Sequence, residues 1–334
     1  MQSLIQFTDS GIFCPKGDFY IDPWKGVKKA LITHAHADHA RFGSAYYLAH
    51  KQSAPIMKQR LGQDINLETT TYNQPIHMNG ITVTFHPAGH IPGSSQIKLS
   101  YKGQRCVVSG DYKLEEDGIS SPFEPVKCNE FVTESTFGLP IYQWQPQTTV
   151  FNEINSWWKQ NKEEGKTSVL FAYALGKAQR LMAHLDTSIG KIYTHGAVEN
   201  ATEVLRENGL KLPETTLVTK DIPKKDFKGN IVIATPASIG SAWMKKFAPY
   251  STGITSGWMM LRGTRRRKAA DRGFVLSDHA DWNGLLTAVK NTEAEKVYVT
   301  HGYSDVFSKY LNELGWDAQS VDSMYEGESL DTNL

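Results

Sequence analysis

Thr33-His34-Ala35-His36-Ala37-Asp38-His39 decides how this chain is read. Three imidazoles and a carboxylate stand within six residues, where the β-rich run Ala30 to Thr33 gives way to a turn. With 11 histidines in 334 residues, three specified His positions coincide by chance at roughly 4 in 100,000 starting points, too rare for an accidental His-rich turn. Imidazole nitrogens and carboxylate oxygens are the donors that zinc and similar divalent ions take. Alternating positions of an extended turn send His34 and His36 one way and Asp38 and His39 another, so the spacing predicts two adjacent cations.

Four donors cannot close two sites, so further His and Asp residues are expected at other strand ends. His90 follows the strand-like Ile81 to Phe85, in Ala88-Gly89-His90-Ile91-Pro92-Gly93-Ser94. Asp111 ends Val107-Val108-Ser109-Gly110-Asp111, and Glu134 ends Phe131-Val132-Thr133-Glu134. His279 lies in Ser277-Asp278-His279-Ala280-Asp281, and His301 ends Val297-Tyr298-Val299-Thr300-His301. Any one of these is more often a hydrogen-bonded turn residue than a ligand; their recurrence at strand ends carries the reading. In Ile81 to Phe85 the alternation puts Ile81, Val83 and Phe85 on one face, the pattern of a sheet packed on one side.

Beyond Thr149 the pattern changes. Val150, Phe151, Ile154, Trp157 and Trp158 recur at helical spacing. Strand-like Ser168 to Tyr173, Lys191 to Thr194 and Ile231 to Thr235 then alternate with helix-like Lys177 to Leu185, Asn200 to Asn208 and Ser238 to Phe247, the signature of a parallel α/β unit. Strand-then-His-turn segments return at Gly273 to His279 and Lys296 to His301, so the second domain reads as an insertion in the first, with segments 1–150, 151–268 and 269–334. Lys plus Arg number 36 against 35 Asp plus Glu, so bulk charge gives no polyanion signal. Apolar runs are far too short to span a bilayer, and the first residues lack a signal-peptide pattern, which predicts a cytoplasmic protein without a membrane partner. Three widely spaced cysteines, Cys14, Cys106 and Cys128, make neither a disulfide framework nor a thiolate zinc site. His195 sits in a copy of the Thr300-His301-Gly302 context but inside the insertion, and reads as structural; His50, His77 and His184 have no partner pattern and read as core or surface residues, and His86 at most supports a ligand.

This set of motifs resembles the metallo-β-lactamase superfamily and, more narrowly, its β-CASP nuclease branch. Gly11-Ile12-Phe13-Cys14-Pro15, Ser256-Gly257-Trp258-Met259-Met260-Leu261-Arg262-Gly263 and Asp278-His279-Ala280-Asp281-Trp282 are similar to the bacterial exonucleases associated with ATP-dependent DNA ligases and repair helicases. The resemblance implies an α/β fold, a metallo-β-lactamase αββα sandwich with an inserted β-CASP domain. It implies one metal on His34, His36 and His90, another on Asp38, His39 and His301, and Asp111 bridging them, with Asp22 behind the ligands. The two divalent ions would be Zn2+, or Mn2+ as the activating ion. Asp38, Asp111, Glu134 and His279 would carry catalysis, His279 held by Glu134 serving as acid for the leaving alkoxide.

The implied reaction is phosphodiester hydrolysis by a DNA exonuclease in repair, alongside a ligase and a helicase; the alternative is an RNA-processing nuclease. A His at the final motif is typical of RNA-acting members, so His301 leans toward RNA against the whole-chain likeness to DNA exonucleases. No Ser-His-Asp elbow or Walker loop competes with the metal cluster. Arg262, Arg265, Arg266, Arg267, Lys268 and Arg272, offset only by Asp271, form a candidate phosphate-binding run, although solvated basic loops are as common. A small-molecule thioester or lactam hydrolase would share the cluster without needing that run. Gly176-Lys177-Ala178-Gln179-Arg180 reads as a helix start whose free N–H groups could hold a phosphate.

Overall fold

Short β-rich runs separated by Gly-bearing turns pair into sheets, while the longer periodic stretches become helices. The structure, a computed structural model, describes residues 3–261, 263 and 270–325. Two units divide it, Met1–Gln143 with Asp278–Gly327, and Trp144–Ser277. The chain lays down β1 (Gln6–Thr8), β2 (Gly11–Cys14), β3 (Phe19–Ile21), β4 (Ala30–Ile32), β5 (Tyr47–His50), β6 (Leu67–Thr70), β7 (Pro75–Met78), β8 (Ile81–Pro87), β9 (Ser95–Tyr101), β10 (Gln104–Val108) and β11 (Glu130–Ser135). The second unit adds β12 (Thr167–Phe171), β13 (Ile192–Thr194), β14 (Thr215–Leu217), β15 (Ile231–Ala234), β16 (Tyr250–Thr255) and β17 (Arg272–Phe274). The first then resumes with β18 (Lys296–Gly302) and β19 (Asp317–Ser320).

In the first unit, one sheet runs β1-β2-β3-β4-β5-β6 and the other β19-β18-β11-β10-β9-β8-β7. Ile12, Phe19, Leu31 and Leu48 from the first sheet share one core with Ile81, Val83, Phe85, Ile97 and Val108 from the second. Alternation in β8 makes this possible: its apolar face is fully buried while Thr82 and Thr84 are half-buried. Burying each such side chain stabilises the sandwich by roughly 1.5–3 kcal/mol. The other face of the second sheet packs Phe131, Val297 and Val299 against Leu285 and Val289 of helix Trp282–Thr292 and Phe307 and Leu311 of helix Ser304–Glu313. The mixed α/β class read from the sequence is the class observed.

The second unit is a sheet ordered β14-β13-β15-β12-β16-β17, every pairing parallel. Its central strands are apolar on both faces, as a parallel sheet covered on both sides requires. One face meets Phe151, Ile154 and Trp158 of helix Gln147–Glu163 and Leu181 and Met182 of helix Lys177–His184; the other meets Phe227, Met244 and Phe247.

Two local readings change here. Ser238 to Phe247 is not one helix but two 3-10 turns, Pro236–Ser238 and Ala242–Phe247, because Gly240 takes φ +73° between them and interrupts the α-helical ladder. The strand before His279 does not return to the sandwich: β17 pairs with β16 inside the second unit, Ile254 opposite Gly273. No helix among the described residues is long and apolar enough to cross a membrane.

Candidate metal centre

The chemistry-bearing residues of the first unit follow the C-terminal ends of its strands. His34 comes just after β4, Asp22 after β3, His90 after β8, Asp111 after β10 and His301 near the end of β18. Two of these hold backbone conformations that L residues rarely adopt, Asp22 at φ +43° and His301 at φ +60°. Such strain costs about 1–3 kcal/mol per residue and persists where the surroundings over-determine it. At Glu134 the pairing of β11 with β18 shifts register, between Thr133 opposite Val299 and Ser135 opposite Gly302. The extra residue lies in β18, where Thr300 and His301 oppose the single Glu134, so the bulge bends the strand that carries His301; Glu134 is buried here.

Asp111 is the hub. Its Oδ2 lies 3.4 Å from His34 Nε2, 3.5 Å from His39 Nε2 and 3.7 Å from His90 Nε2, and its Oδ1 lies 3.5 Å from His301 Nδ1. His36 Nδ1 is 3.1 Å from His90 Nε2, and Asp38 Oδ2 is 3.7 Å from His39 Nε2. Among the described residues, three groups can each bring ligand atoms within 4.8 Å of one another: His34, His36, His90 and Asp111; His39, Asp111 and His301; and Asp111, Glu134 and His279. The first group contains His34, His36 and His90 and the second His39 and His301; Asp38 is in none of the three.

The supporting hydrogen bonds choose the tautomers. Thr33 Oγ1 donates to Asp22 Oδ2, so it accepts from His34 Nδ1 at 3.1 Å. His39 Nδ1 donates to Asp22 Oδ2 at 2.8 Å, and His90 Nδ1 donates to the Asp278 carbonyl at 2.9 Å. In all three rings Nε2 is left as a lone pair, the form that binds metals. Gly110 makes the relay possible: at φ +57°, a Cβ there would lie 2.5 Å from Thr33 Oγ1. Arg60 Nη1 donates to the Ala35 carbonyl at 2.8 Å and braces the histidine turn from helix Ala54–Leu61.

Electrostatics agree with a cation-binding donor set. His34 Nε2, His39 Nε2, His301 Nε2 and Asp111 Oδ1 are buried without a hydrogen-bond partner. Each such orphan costs about 1–3 kcal/mol unless something ligates it. Burial disfavours the charged form of His39, yet the Asp111, Asp38 and Asp22 carboxylates push its imidazole well above the ordinary range. Burial works against ionised Asp111 as well, but His39 and His279 hold its carboxyl well below the usual range. Burial, helped by the nearby His279, His34 and His36 rings, pushes His90 well down, and burial also lowers His301. The neutral His90 and His301 imidazoles beside an ionised Asp111 fit a divalent ion, whose binding would displace the proton that the carboxylates favour on His39.

His279 stands beside the hub, its Nδ1 2.8 Å from Glu134 Oε2. Glu134 also accepts from the Tyr112 N–H at 2.8 Å and from Thr136 Oγ1. In the basic run, Arg262, Arg265, Arg266, Arg267 and Lys268 lie outside the described residues; Arg272 is exposed, with its guanidinium 5.8 Å from the Phe274 ring centre. His195 caps helix Gly196–Glu207, accepting from the Ala197 N–H. Lys177, Gln179 and Arg180 are buried, and Arg180 Nη1 donates to the Ser277 carbonyl at 2.7 Å. Sequence reasoning missed Thr33, Arg41, Arg60 and Tyr325, none of which stands in a metal-ligand pattern.

No protein-family model matches the chain. It is similar to the "Probable DNA ligase" of Opitutus terrae, 29% identical over 313 residues, covering 93% of this chain and 30% of that protein. The chain therefore spans less than a third of that relative's length. It is also similar to the "RNase J-like protein" of Methanocaldococcus jannaschii, 25% identical over 348 residues, covering 83% of this chain and 82% of that one. Among solved structures, a protein of unknown function from Enterococcus faecalis V583 shares the fold with TM-score 0.57 and 13% identity, over 81% of this chain and 74% of that one.

Proposed function

We propose that this chain, which belongs to the metallo-β-lactamase superfamily in its β-CASP branch, is a two-metal phosphodiesterase acting as a DNA exonuclease in repair. The observation that carries the reading is the convergence of three ligand groups on one carboxylate, Asp111. His34, His36 and His90 would hold one ion and Asp38, His39 and His301 the other, with Asp111 between them and Asp22 fixing the ring of His39. Two divalent ions there would polarise the phosphate and activate water for in-line attack. The His-rich donors favour Zn2+, and the carboxylates of Asp38 and Asp111 leave Mn2+ as the activating alternative. Glu134 orients His279, which protonates the leaving alkoxide.

The β-CASP insertion read from the sequence as 151–268, between 1–150 and 269–334, is taken to extend through β17, which pairs with β16. The Opitutus relative supports an association with ligation, because its matching stretch lies within a protein named as a DNA ligase. Three free, buried cysteines fit a reducing cytoplasm. The RNA-processing reading is supported by His301 and by the RNase J-like relative.

The deciding experiment incubates metal-replete protein with end-labelled single- and double-stranded DNA and matched RNA. Ladders from one DNA terminus are expected; efficient RNA cleavage with inert DNA would overturn the DNA reading in favour of the alternative. Phosphate binding is assigned to Arg265, Arg266 and Arg267 with their neighbours. Neutralising those three should weaken single-strand binding across sequences and make the salt slope shallower by about 0.7 per lost contact. An unchanged slope in a binding titration would leave them as surface charge.

A further inference from the structure

Tyr325 belongs to no motif and no secondary-structure element, yet it sits against the metal centre. Its ring stacks on His39 with centroids 4.4 Å apart and planes 2° from parallel, and it also faces His301 at 5.9 Å and 29°. Trp24 meets it edge-on at 6.0 Å, and its hydroxyl donates to the Asp22 carbonyl at 3.1 Å. One residue earlier, the Met324 carbonyl accepts from Arg41 Nη2 at 2.6 Å. The same guanidinium donates through Nε to the Asp38 carbonyl at 3.1 Å and through Nη1 to the Trp24 carbonyl at 3.4 Å. The strap is thus pinned to the loop that carries Asp38 and His39.

We propose that Tyr325 is a positioning residue for the His39 and His301 half of the centre. An imidazole whose Nδ1 is fixed by Asp22 can still tilt about that bond. A coplanar ring stacked on its face removes the tilt and keeps Nε2 turned toward Asp111, 3.5 Å away. The same ring lines the pocket beside His39, Asp111 and His301, and shielding from water strengthens electrostatic interactions there. The hydroxyl's bond to Asp22 ties the strap to the carboxylate-bearing residue that orients His39, so ring and relay support the same ligand from two sides. This inference rests on the two-cation reading above and adds a residue that neither the ligand pattern nor strand-end spacing contains.

The test is calorimetric titration of the chelator-stripped full chain with Mn2+, which reads ion binding without turnover. Wild type is expected to show two binding events. Tyr325→Ala should weaken one by about 10- to 100-fold, the loss typical of an outer partner of a metal ligand, and leave the other nearly unchanged. Tyr325→Phe keeps the ring and should recover most of the loss. Tyr325→Leu fills the space without an aromatic face and must show the same selective loss, which keeps the test decisive if the alanine variant does not fold. Equal weakening of both events, or of neither, in Tyr325→Leu would overturn the proposal. Fewer than two events in wild type would overturn the two-cation reading itself.

Discussion

Asp111→Asn is expected to abolish phosphodiester hydrolysis and to disturb both ion sites at once. Its two carboxylate oxygens lie 3.4–3.7 Å from nitrogens of His34, His39, His90 and His301, and every candidate ligand group contains it. Asparagine keeps the shape but removes the negative charge, and its NH2 would point a donor where a ligand oxygen stood. Loss of an outer partner of a metal ligand already costs about 10- to 100-fold in affinity or activity, so loss of a shared ligand should exceed that. Elemental analysis after dialysis, paired with turnover on a phosphodiester, checks both halves of the expectation. Two ions per chain with near-normal turnover would refute the bridging assignment.

A different variant would report on one site only. His36 is confined to the first ligand group, so removing it should spare the second event in the same titration. The contrast between one event lost and both lost follows from where each side chain stands around Asp111.

The histidine turn was legible because its chemistry is local: four donors within six residues need no tertiary context to be noticed. His90, Asp111, Glu134 and His301 were legible more weakly, through their recurrence at strand ends, which the sheet topology turns into proximity. Asp22 has no such local signal. Its role depends on a left-handed backbone and on hydrogen bonds to Thr33 and His39, and only family resemblance pointed to it. Tyr325 was out of reach, since its contact with Asp22 joins residues 303 apart in sequence through a stretch with no periodicity. Helix starts are blurred for a related reason: His195 is a cap that the usual Ser, Thr, Asp and Asn preference does not flag, so the spacing predicts a helix from Asn200 where the structure has Gly196–Glu207. In the second unit the buried runs of β12 and β15 announced themselves, whereas the turns around Gly240 carried helical spacing without helical backbone.

His279→Ala should retain both ions yet lose roughly 100- to 10,000-fold in turnover on a phosphodiester, the range of a lost acid–base group. A hydrogen bond to a carboxylate sets this residue's assigned role apart from that of the proposed ligands. Its Nδ1 is bound to Glu134 Oε2 at 2.8 Å, and Glu134 is itself held by the Tyr112 N–H and by Thr136 Oγ1, so the ring is oriented with Nε2 as the nitrogen for proton exchange. The proposed ligand sets of His34, His36 and His90, and of Asp38, His39 and His301, would close without it. Its atoms nevertheless come within 4.8 Å of those of Asp111 and Glu134, which makes the ion count the discriminating measurement. A second substrate isolates the role. An alkoxide leaving group of high pKa needs the proton, whereas a nitrophenolate departs with little help, so the nitrophenyl ester should be largely spared. Glu134→Gln should repeat the pattern more mildly, because a neutral partner still orients the ring but no longer balances a positive imidazolium. Equal losses on both substrates, or loss of an ion, would reject the acid role and make His279 a ligand or a phosphate clamp.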